Sequence, residues 1–173
     1  MREVDRQKSH FEDPGVREAE SGVPGASSAL TLDAQLCFQM YSGMHAMNRV
    51  YKRLLDPLGL TYPQYLVMLV LWECDGVTVS GLGERLGLDS GTLTPLLRRM
   101  AAKGWLDRQR DERDERRVVV RLTDAGRALK QTAAGVPKAM LCAMGMDVGE
   151  MAALREQLRR LRGRLAEAEQ QSP

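Results

Sequence analysis

The chain has 173 residues, enough for one domain with a hydrophobic core and additional tails. Apolar residues make up 43% and aromatic residues only 5%, which favours a mainly α-helical protein over a β-sandwich. The longest apolar run, residues 65–72, has eight residues, whereas a membrane-spanning helix needs about 20. The net charge of +2 does not by itself indicate nucleic-acid binding, but residues 97–121 carry a local excess of +4.

Residues 1–30 combine scattered charges with Gly, Ser and Pro, which predicts a disordered extension. They contain no signal-peptide core, and this predicts a cytoplasmic protein without a membrane partner. In that reducing compartment, three cysteines argue against a structural disulfide framework. Any disulfide formed there is expected to be transient and functional.

A long amphipathic helix is predicted from Asp33 onward. Its apolar positions follow spacings of 4, 4, 3, 4, 3 and 4: Leu36, Met40, Met44, Met47, Tyr51, Leu54 and Leu58. The sequence DPLGLT then ends the helix. Thr61 as N-cap and Gln64 three residues later form a capping box for a buried helix that extends to about Glu73.

Residues 78–104 carry the pattern of a helix-turn-helix, with a short helix from Ser80, a turn at Gly87 and a second helix capped by Asp89. The apolar positions of the two helices are Leu82, Leu86, Leu93, Leu97 and Met100. The next stretch, WLDRQRDERDERRVVVRLT, predicts two strands with a charged turn, which would be a wing. The pattern alone also fits an ordinary helix–hairpin unit.

Two further helices are predicted at the C-terminal end. Thr123 caps the first, and Gly135 and Pro137 interrupt it, so that residues 138–146 form a partly detached segment. Asp147 and Glu150 form a capping box for the second, whose apolar residues follow spacings of 3, 4, 3 and 4: Met151, Leu154, Leu158, Leu161 and Leu165. This seam fits a dimer interface or an intramolecular core.

Cys37 lies in the first turns of the long helix, where it is either a core residue or a reactive thiol. The positive end of the helix dipole would favour its thiolate. Tyr41 lies one helical turn away on the same side. Tyr51 is 14 residues from Cys37, about 21 Å along a straight helix but nearly a whole number of turns. If Tyr51 serves Cys37, it must therefore come from another subunit.

In this order, the elements resemble the MarR family of transcriptional regulators, specifically its organic hydroperoxide-sensing branch with two cysteines. The resemblance covers residues 32–164, and the stretches that carry it are LDAQLCFQMYSGMHAMNRVY, LLDPLGLTYPQYLVMLVLWE, TVSGLGERLGLDSGTLTPLLRRM, DERRVVVRLTDAG and CAMG. It implies a mainly α homodimer with a small β-hairpin. Within a domain at 31–173, residues 31–60 and 123–168 would form the dimerisation helices, and residues 61–122 the winged helix-turn-helix.

The resemblance also implies a double-stranded DNA partner, a pseudo-palindromic operator with half-sites about 34 Å apart. Contacts to bases or phosphates are expected from the recognition helix, at Ser90, Thr92, Thr94, Arg98 and Arg99. In the wing, Asp114 matches an acid that orients Arg116 into the minor groove. A salt bridge that shapes the hairpin is a compatible interpretation of the same pair.

For the thiol, the resemblance implies that Cys37 is oxidised by an organic hydroperoxide and that Tyr41, Tyr51 and Tyr62 donate hydrogen bonds to its thiolate. Cys142 matches the resolving cysteine, which forms an intersubunit disulfide with Cys37, after which the operator is released. Packing at the dimer interface is the other interpretation of the tyrosines. Cys74 has no matching role.

Two other functions fit part of the pattern. One is a MarR-type regulator released by a small phenolic ligand without redox chemistry. The other is a thiol peroxidase, which would not require a winged helix-turn-helix, so the sequence predicts a protein that is not an enzyme. His10 and His45 are isolated, and we expect no metal and no cofactor.

Overall fold

A computed structural model describes residues 30–110, 114 and 116–171, which form parts of two compact units, 1–41 and 42–173. Except for Leu30, the predicted disordered extension at 1–30 lies outside the described residues. The helices are α1 (Leu36–Leu55), α2 (Tyr62–Glu73), α3 (Val79–Leu86), α4 (Ser90–Ala102), α5 (Asp124–Ala133), α6 (Val136–Met144) and α7 (Val148–Gln171), with a 3-10 turn at Asp56–Leu58. The strands are β1 (Val77–Thr78), β2 (Leu106–Arg110) and β3 (Val118–Leu122). The predicted mainly α fold is confirmed.

The start of α1 belongs to the first unit. The backbone N–H of Gln35 donates to the carbonyl oxygen of Leu32 at 3.1 Å, and that of Phe38 donates to Gln35 at 3.1 Å. These bonds form a turn ahead of the helix, so that α1 begins at Leu36, three residues after the predicted start at Asp33.

The second unit is built around α2. The predicted capping box is present, because the Gln64 side-chain oxygen accepts the N–H of Thr61 at 2.9 Å. Half of the helix is buried: Gln64, Tyr65, Val67, Met68, Val70 and Leu71. A helix that is apolar on most sides must lie inside the fold, and α2 accordingly forms the centre of the hydrophobic core.

The predicted helix-turn-helix and wing are confirmed as α3, α4, β2 and β3. Gly87 has a φ of 64°, so this left-handed position between α3 and α4 favours glycine. The sheet order is β1-β3-β2, antiparallel throughout, with Leu106 opposite Leu122 and Val77 opposite Val120. The sequence pattern missed β1, because two residues are too few to show alternation.

The C-terminal helices follow the predicted breaks. The Thr123 hydroxyl oxygen accepts the N–H of Gly126 at 3.1 Å and caps α5. The helix ends at Ala133, and α6 begins at Val136, as the Gly135 and Pro137 pattern predicted. Val136 is 6% and Met140 3% exposed, whereas the other residues of the predicted partly detached segment, 138–146, are exposed or half-buried. These two buried side chains, one helical turn apart, attach α6 to the rest of the protein.

The predicted capping box of α7 is present, since Asp147 and Glu150 each accept the other's backbone N–H at 2.8 Å. Among the described residues of α7 none is buried, and Leu154, Leu158 and Leu165 are 43%, 43% and 61% exposed. Met151 and Leu161 are half-buried, so the apolar seam remains mostly uncovered within one chain. This excludes the interpretation of the seam as an intramolecular core.

None of the described helices is by itself long and apolar enough to cross a membrane. Residues 36–58 and 62–73 meet the length and composition test only as a pair, bent by 67°. The second member of that pair, α2, lies in the protein core.

Candidate nucleic-acid interface and thiol site

The start of the recognition helix α4 is fixed by Asp89. Its carboxylate accepts the backbone N–H of Thr92 at 2.9 Å and the Thr92 hydroxyl, also at 2.9 Å. Both hydrogen bonds favour the ionised carboxylate and hold the pKa of Asp89 below its usual value. Because the Thr92 hydroxyl donates its proton to Asp89, the hydroxyl oxygen is left as a hydrogen-bond acceptor.

The two faces of α4 differ in burial. Leu93, Leu96, Leu97 and Met100 are buried and attach the helix to the core. Ser90, Arg98 and Arg99 are exposed, and Thr94 is half-buried. Ser90, Thr94 and Arg98 are spaced four residues apart, so they share one stripe along the helix. Three of the five predicted contact residues therefore lie along one outward stripe.

In the wing, Asp114 organises the turn between β2 and β3. Its carboxylate accepts the backbone N–H of Arg116 at 3.1 Å, and its carbonyl oxygen accepts that of Arg117 at 2.9 Å. The Arg116 guanidinium forms no ion pair with any residue that the structure describes. The acid thus bonds the main chain that carries Arg116 and forms no ion pair with its guanidinium, which differs from the salt bridge considered from sequence.

The wing is attached to the rest of the second unit through Asp75, which sequence reasoning did not select. One carboxylate oxygen accepts the N–H groups of Gly76 and Leu122, both at 2.8 Å. The other accepts from the Arg127 guanidinium at 2.6 Å. Asp75 therefore links the segment after α2 with the end of β3 and with α5. A single acid between a helix end and a strand gives no sequence signal for this role.

Cys37 and Tyr41 belong to the first unit, where both are exposed on α1. They lie one helical turn apart, and Cys37 is the second residue of the helix. The exposed side chain gives a reagent access to the sulfur.

Tyr51 and Tyr62 meet in the second unit, with ring centroids 4.4 Å apart and planes inclined by 34°. Burial raises the pKa of both phenols, and for Tyr51 the neighbouring phenols Tyr62 and Tyr65 add to this effect. Each group therefore stays protonated across the physiological pH range and keeps an O–H to donate. The sequence analysis missed Tyr65, whose buried ring lies 6.2 Å from that of Tyr51.

The other two cysteines are also exposed free thiols. Cys142 lies on α6, two residues before the end of the helix. Cys74 caps the C-terminal end of α2, and its sulfur lies 3.9 Å from the carbonyl oxygen of Asp75. In the described part of the chain, no three His, Cys, Asp or Glu side chains form a group that could hold a metal ion.

A cavity of about 320 Å³ lies beside the Asp75 linkage. Its lining combines apolar, aromatic and charged side chains: Leu71, Trp72, Asp75, Leu122, Arg127 and Lys130. Lys130 donates to the carbonyl oxygen of Trp72 at 2.9 Å, so this cation is held at the cavity wall. The cavity thus places an aromatic ring beside Lys130 and beside the ion pair of Arg127 with Asp75.

The known proteins that are similar to this chain in sequence are transcriptional regulators. Residues 49–133 match the family model of the transcriptional regulator SarA/Rot. The chain is 46% identical over 149 residues to the HTH-type transcriptional regulator TtmR of Methylorubrum extorquens, covering 86% of this chain and 76% of that protein. It is 49% identical over 112 residues to the organic hydroperoxide resistance transcriptional regulator of Bacillus subtilis, covering 65% of this chain and 76% of that protein.

Among solved structures, AbfR of Staphylococcus epidermidis matches with a TM-score of 0.68 and 32% identity, over 82% of this chain and 97% of that one. Reduced AbfR bound to DNA matches with a TM-score of 0.63 and 35% identity, over 79% and 96% of the two chains. A disulfide form of AbfR matches with a TM-score of 0.56 and 34% identity, over 78% and 95%.

Proposed function

This chain belongs to the MarR-like family of transcriptional regulators that includes SarA and Rot, and on that premise we propose that it is a repressor that releases its operator when an organic hydroperoxide oxidises Cys37. Regulation through DNA binding is supported by the outward stripe of α4, formed by Ser90, Thr94 and Arg98, and by the wing turn in which Asp114 accepts the Arg116 N–H. The redox part is supported by the exposed Cys37 at a helix start and by relatives named for hydroperoxide resistance and for a disulfide form.

The proposed DNA complex contains two copies of the chain. Apolar side chains of α1 and α7 that are uncovered in one chain would be buried between the copies: Leu36, Met40, Met44, Leu154, Leu158 and Leu165. Two-fold symmetry would then place the two α4 helices in successive major grooves, about 34 Å apart, and Arg116 of each wing in a minor groove. This arrangement matches a pseudo-palindromic operator.

The second copy would also complete the thiol site. Cys37 and Tyr51 are separated by 14 residues, which corresponds to about 21 Å of helix. We therefore propose that Tyr51 and Tyr62 of one subunit donate to the Cys37 thiolate of the other, and that Tyr41 donates from the same helix as Cys37. The raised pKa values of Tyr51 and Tyr62 keep both hydroxyls protonated for this role.

The proposed chemistry has two steps. The Cys37 thiolate attacks one oxygen of the hydroperoxide, so that an S–O bond forms, the O–O bond breaks and an alcohol leaves after taking up a proton. The Cys142 thiol then attacks the resulting sulfenic acid, an S–S bond forms, and the hydroxyl leaves as water. Together the two sulfurs give up the two electrons that the O–O bond of the peroxide accepts.

Release of DNA requires that the disulfide form disfavour the DNA-binding arrangement of the two α4 helices. A hundredfold loss of operator affinity corresponds to a coupling free energy of about 2.7 kcal/mol. A single disulfide between Cys37 of one subunit and Cys142 of the other is sufficient to supply this energy.

The direct experiment measures operator binding of the full chain against added cumene hydroperoxide, with and without dithiothreitol, in parent and Cys37→Ser protein. We expect peroxide to release the parent, dithiothreitol to restore binding, and the variant to remain bound. Non-reducing electrophoresis should show a peroxide-dependent dimer band that is absent in Cys142→Ser. A band that persists in Cys142→Ser would remove Cys142 from its proposed role.

A second candidate function rests on the cavity beside Trp72. Release by a small aromatic anion held between the Trp72 ring, Arg127 and Lys130 would need no redox step. Salicylate would then release the operator equally from parent and Cys37→Ser protein, and Lys130→Ala would weaken the effect. Insensitivity of operator binding to salicylate would exclude this candidate.

A further inference from the structure

Tyr65 is a buried phenol that the proposed thiol site does not yet use. Its side chain is 3% exposed and belongs to the hydrophobic core. Its ring centroid lies 6.2 Å from that of Tyr51, with the planes inclined by 42°. The ring of Tyr51 therefore lies near two phenols of α2, Tyr62 and Tyr65.

The position of Tyr65 is itself fixed by Trp72. The two ring centroids are 6.3 Å apart at 69°, an edge-to-face contact of favourable geometry. The indole N–H of Trp72 donates to the carbonyl oxygen of Gly126 at 3.0 Å, which anchors this ring to the backbone of α5. A series of contacts thus runs from α5 through Trp72 and Tyr65 to Tyr51.

Tyr51, by contrast, is only half-buried. A phenol that must donate to a thiolate needs a defined ring orientation, because hydrogen bonds weaken steeply when the donor is misdirected. Of the two rings that contact Tyr51, Tyr62 is also half-buried, whereas Tyr65 is enclosed by the core. Tyr65 is therefore the more rigidly held of the two rings that contact Tyr51.

We propose that Tyr65 is a positioning residue for the redox site: its ring holds the ring of Tyr51 in the orientation from which the hydroxyl reaches the partner's thiolate. Tyr65 acts through its ring and not through its hydroxyl. This inference rests on the proposed function, in which Tyr51 serves Cys37 across the dimer.

The test uses a full-length Cys74→Ser/Cys142→Ser protein, so that Cys37 is the sole thiol. The rate of Cys37 alkylation by iodoacetamide is measured against pH in Tyr51→Phe, Tyr65→Leu and Tyr65→Phe. Loss of the Tyr51 hydrogen bond should destabilise the Cys37 thiolate and slow its alkylation near neutral pH by about tenfold. We expect Tyr51→Phe and Tyr65→Leu to slow alkylation by similar factors and Tyr65→Phe to retain the parent profile.

A double variant separates positioning from general support of the fold. If Tyr65 acts through Tyr51, Tyr51→Phe/Tyr65→Leu should react no more slowly than Tyr51→Phe alone. A purely structural role for Tyr65 would lower the melting temperature and leave the pH profile unchanged. Should Tyr65→Leu fail to bind operator, Tyr65→Met replaces it, since methionine fills irregular space in a core.

Three results would overturn the inference. The first is a parent-like pH profile in Tyr65→Leu or Tyr65→Met, and the second is a rate loss in the double variant equal to the product of the two single losses. The third is a rate loss in Tyr65→Phe as large as that in Tyr51→Phe. The failure of the proposed function has a different signature. In that case Tyr51→Phe itself leaves the Cys37 profile unchanged, and the inference falls with it.

Discussion

The carboxylate of Asp114 accepts the backbone N–H of Arg116 at 3.1 Å, so the acid holds the main chain of the wing turn and not the arginine side chain. A carboxylate that bonds the N–H two residues ahead makes a compact turn of well-defined geometry. The main chain from which the Arg116 side chain extends is thereby held by the acid.

This relationship separates the effects of the two wing residues. Arg116→Ala should weaken operator binding by about 1–3 kcal/mol and reduce the slope of log affinity against log salt by about one. Asp114→Asn keeps an oxygen that accepts the Arg116 N–H and should bind nearly as the parent does, whereas Asp114→Ala should bind more weakly. Fluorescence anisotropy at several salt concentrations measures all three. Equal losses in Asp114→Asn and Asp114→Ala would contradict the turn role.

The Asp75 linkage should contribute to stability. Asp75→Ala leaves the part-buried N–H of Leu122 without its acceptor, which costs about 1–3 kcal/mol. For a chain of this size the melting temperature falls by about 2–4 °C per kcal/mol. Asp124→Ala is the matched control, because Asp124 also contacts Arg127 but its side chain is fully exposed. Differential scanning calorimetry should show a clear loss only for Asp75→Ala, and comparable losses would refute the assignment.

Gly126 should tolerate no side chain. A Cβ at this position would lie 1.9 Å from the carbonyl oxygen of Trp105, which belongs to the backbone and cannot rotate away. Gly126→Ala should therefore destabilise the protein by about 3 kcal/mol or more in urea unfolding. Gly135→Ala is the control, because its φ is −79° and nothing lies within 4 Å of its Cβ position. A parent-like midpoint for Gly126→Ala would contradict the described packing.

The phenol cluster predicts a specific pH dependence. The pKa values of Tyr51, Tyr62 and Tyr65 are raised in the folded state, mainly by burial. Above pH 10 the unfolded chain loses phenolic protons that the folded chain retains, so stability falls as pH rises through that range. Tyr65→Phe removes one of the three groups and should lose less stability than the parent between pH 9 and 11. Parallel curves of the unfolding free energy against pH would exclude the effect.

Much of this fold was predictable because its signals are local. Capping patterns at Thr61, Thr123 and Asp147 and the glycine turn at Gly87 marked helix boundaries to within a few residues. Apolar periodicity identified the recognition helix correctly. By contrast, the apolar periodicity of α7 predicted a face that becomes buried, but this face is exposed in one chain. Periodicity alone does not say which chain covers such a face.

The candidate site was predictable in part. The Tyr51–Tyr62 contact could be expected only through a family resemblance, because it joins two different helices. Tyr65 and Asp75 were missed, since their roles depend on contacts distant in sequence: Tyr65 with Tyr51, and Asp75 with Leu122. Long-range hydrogen bonds and ring contacts leave no periodic trace in a single sequence.

The central claim is that Cys37 converts organic hydroperoxide into loss of operator binding. It is tested most directly by titrating a labelled operator complex with cumene hydroperoxide in parent and Cys37→Ser protein, followed by dithiothreitol. The account predicts release of the parent, with affinity reduced about a hundredfold and restored by the reductant, while Cys37→Ser remains bound throughout. Peroxide-driven release from Cys37→Ser at the parent concentration would contradict it.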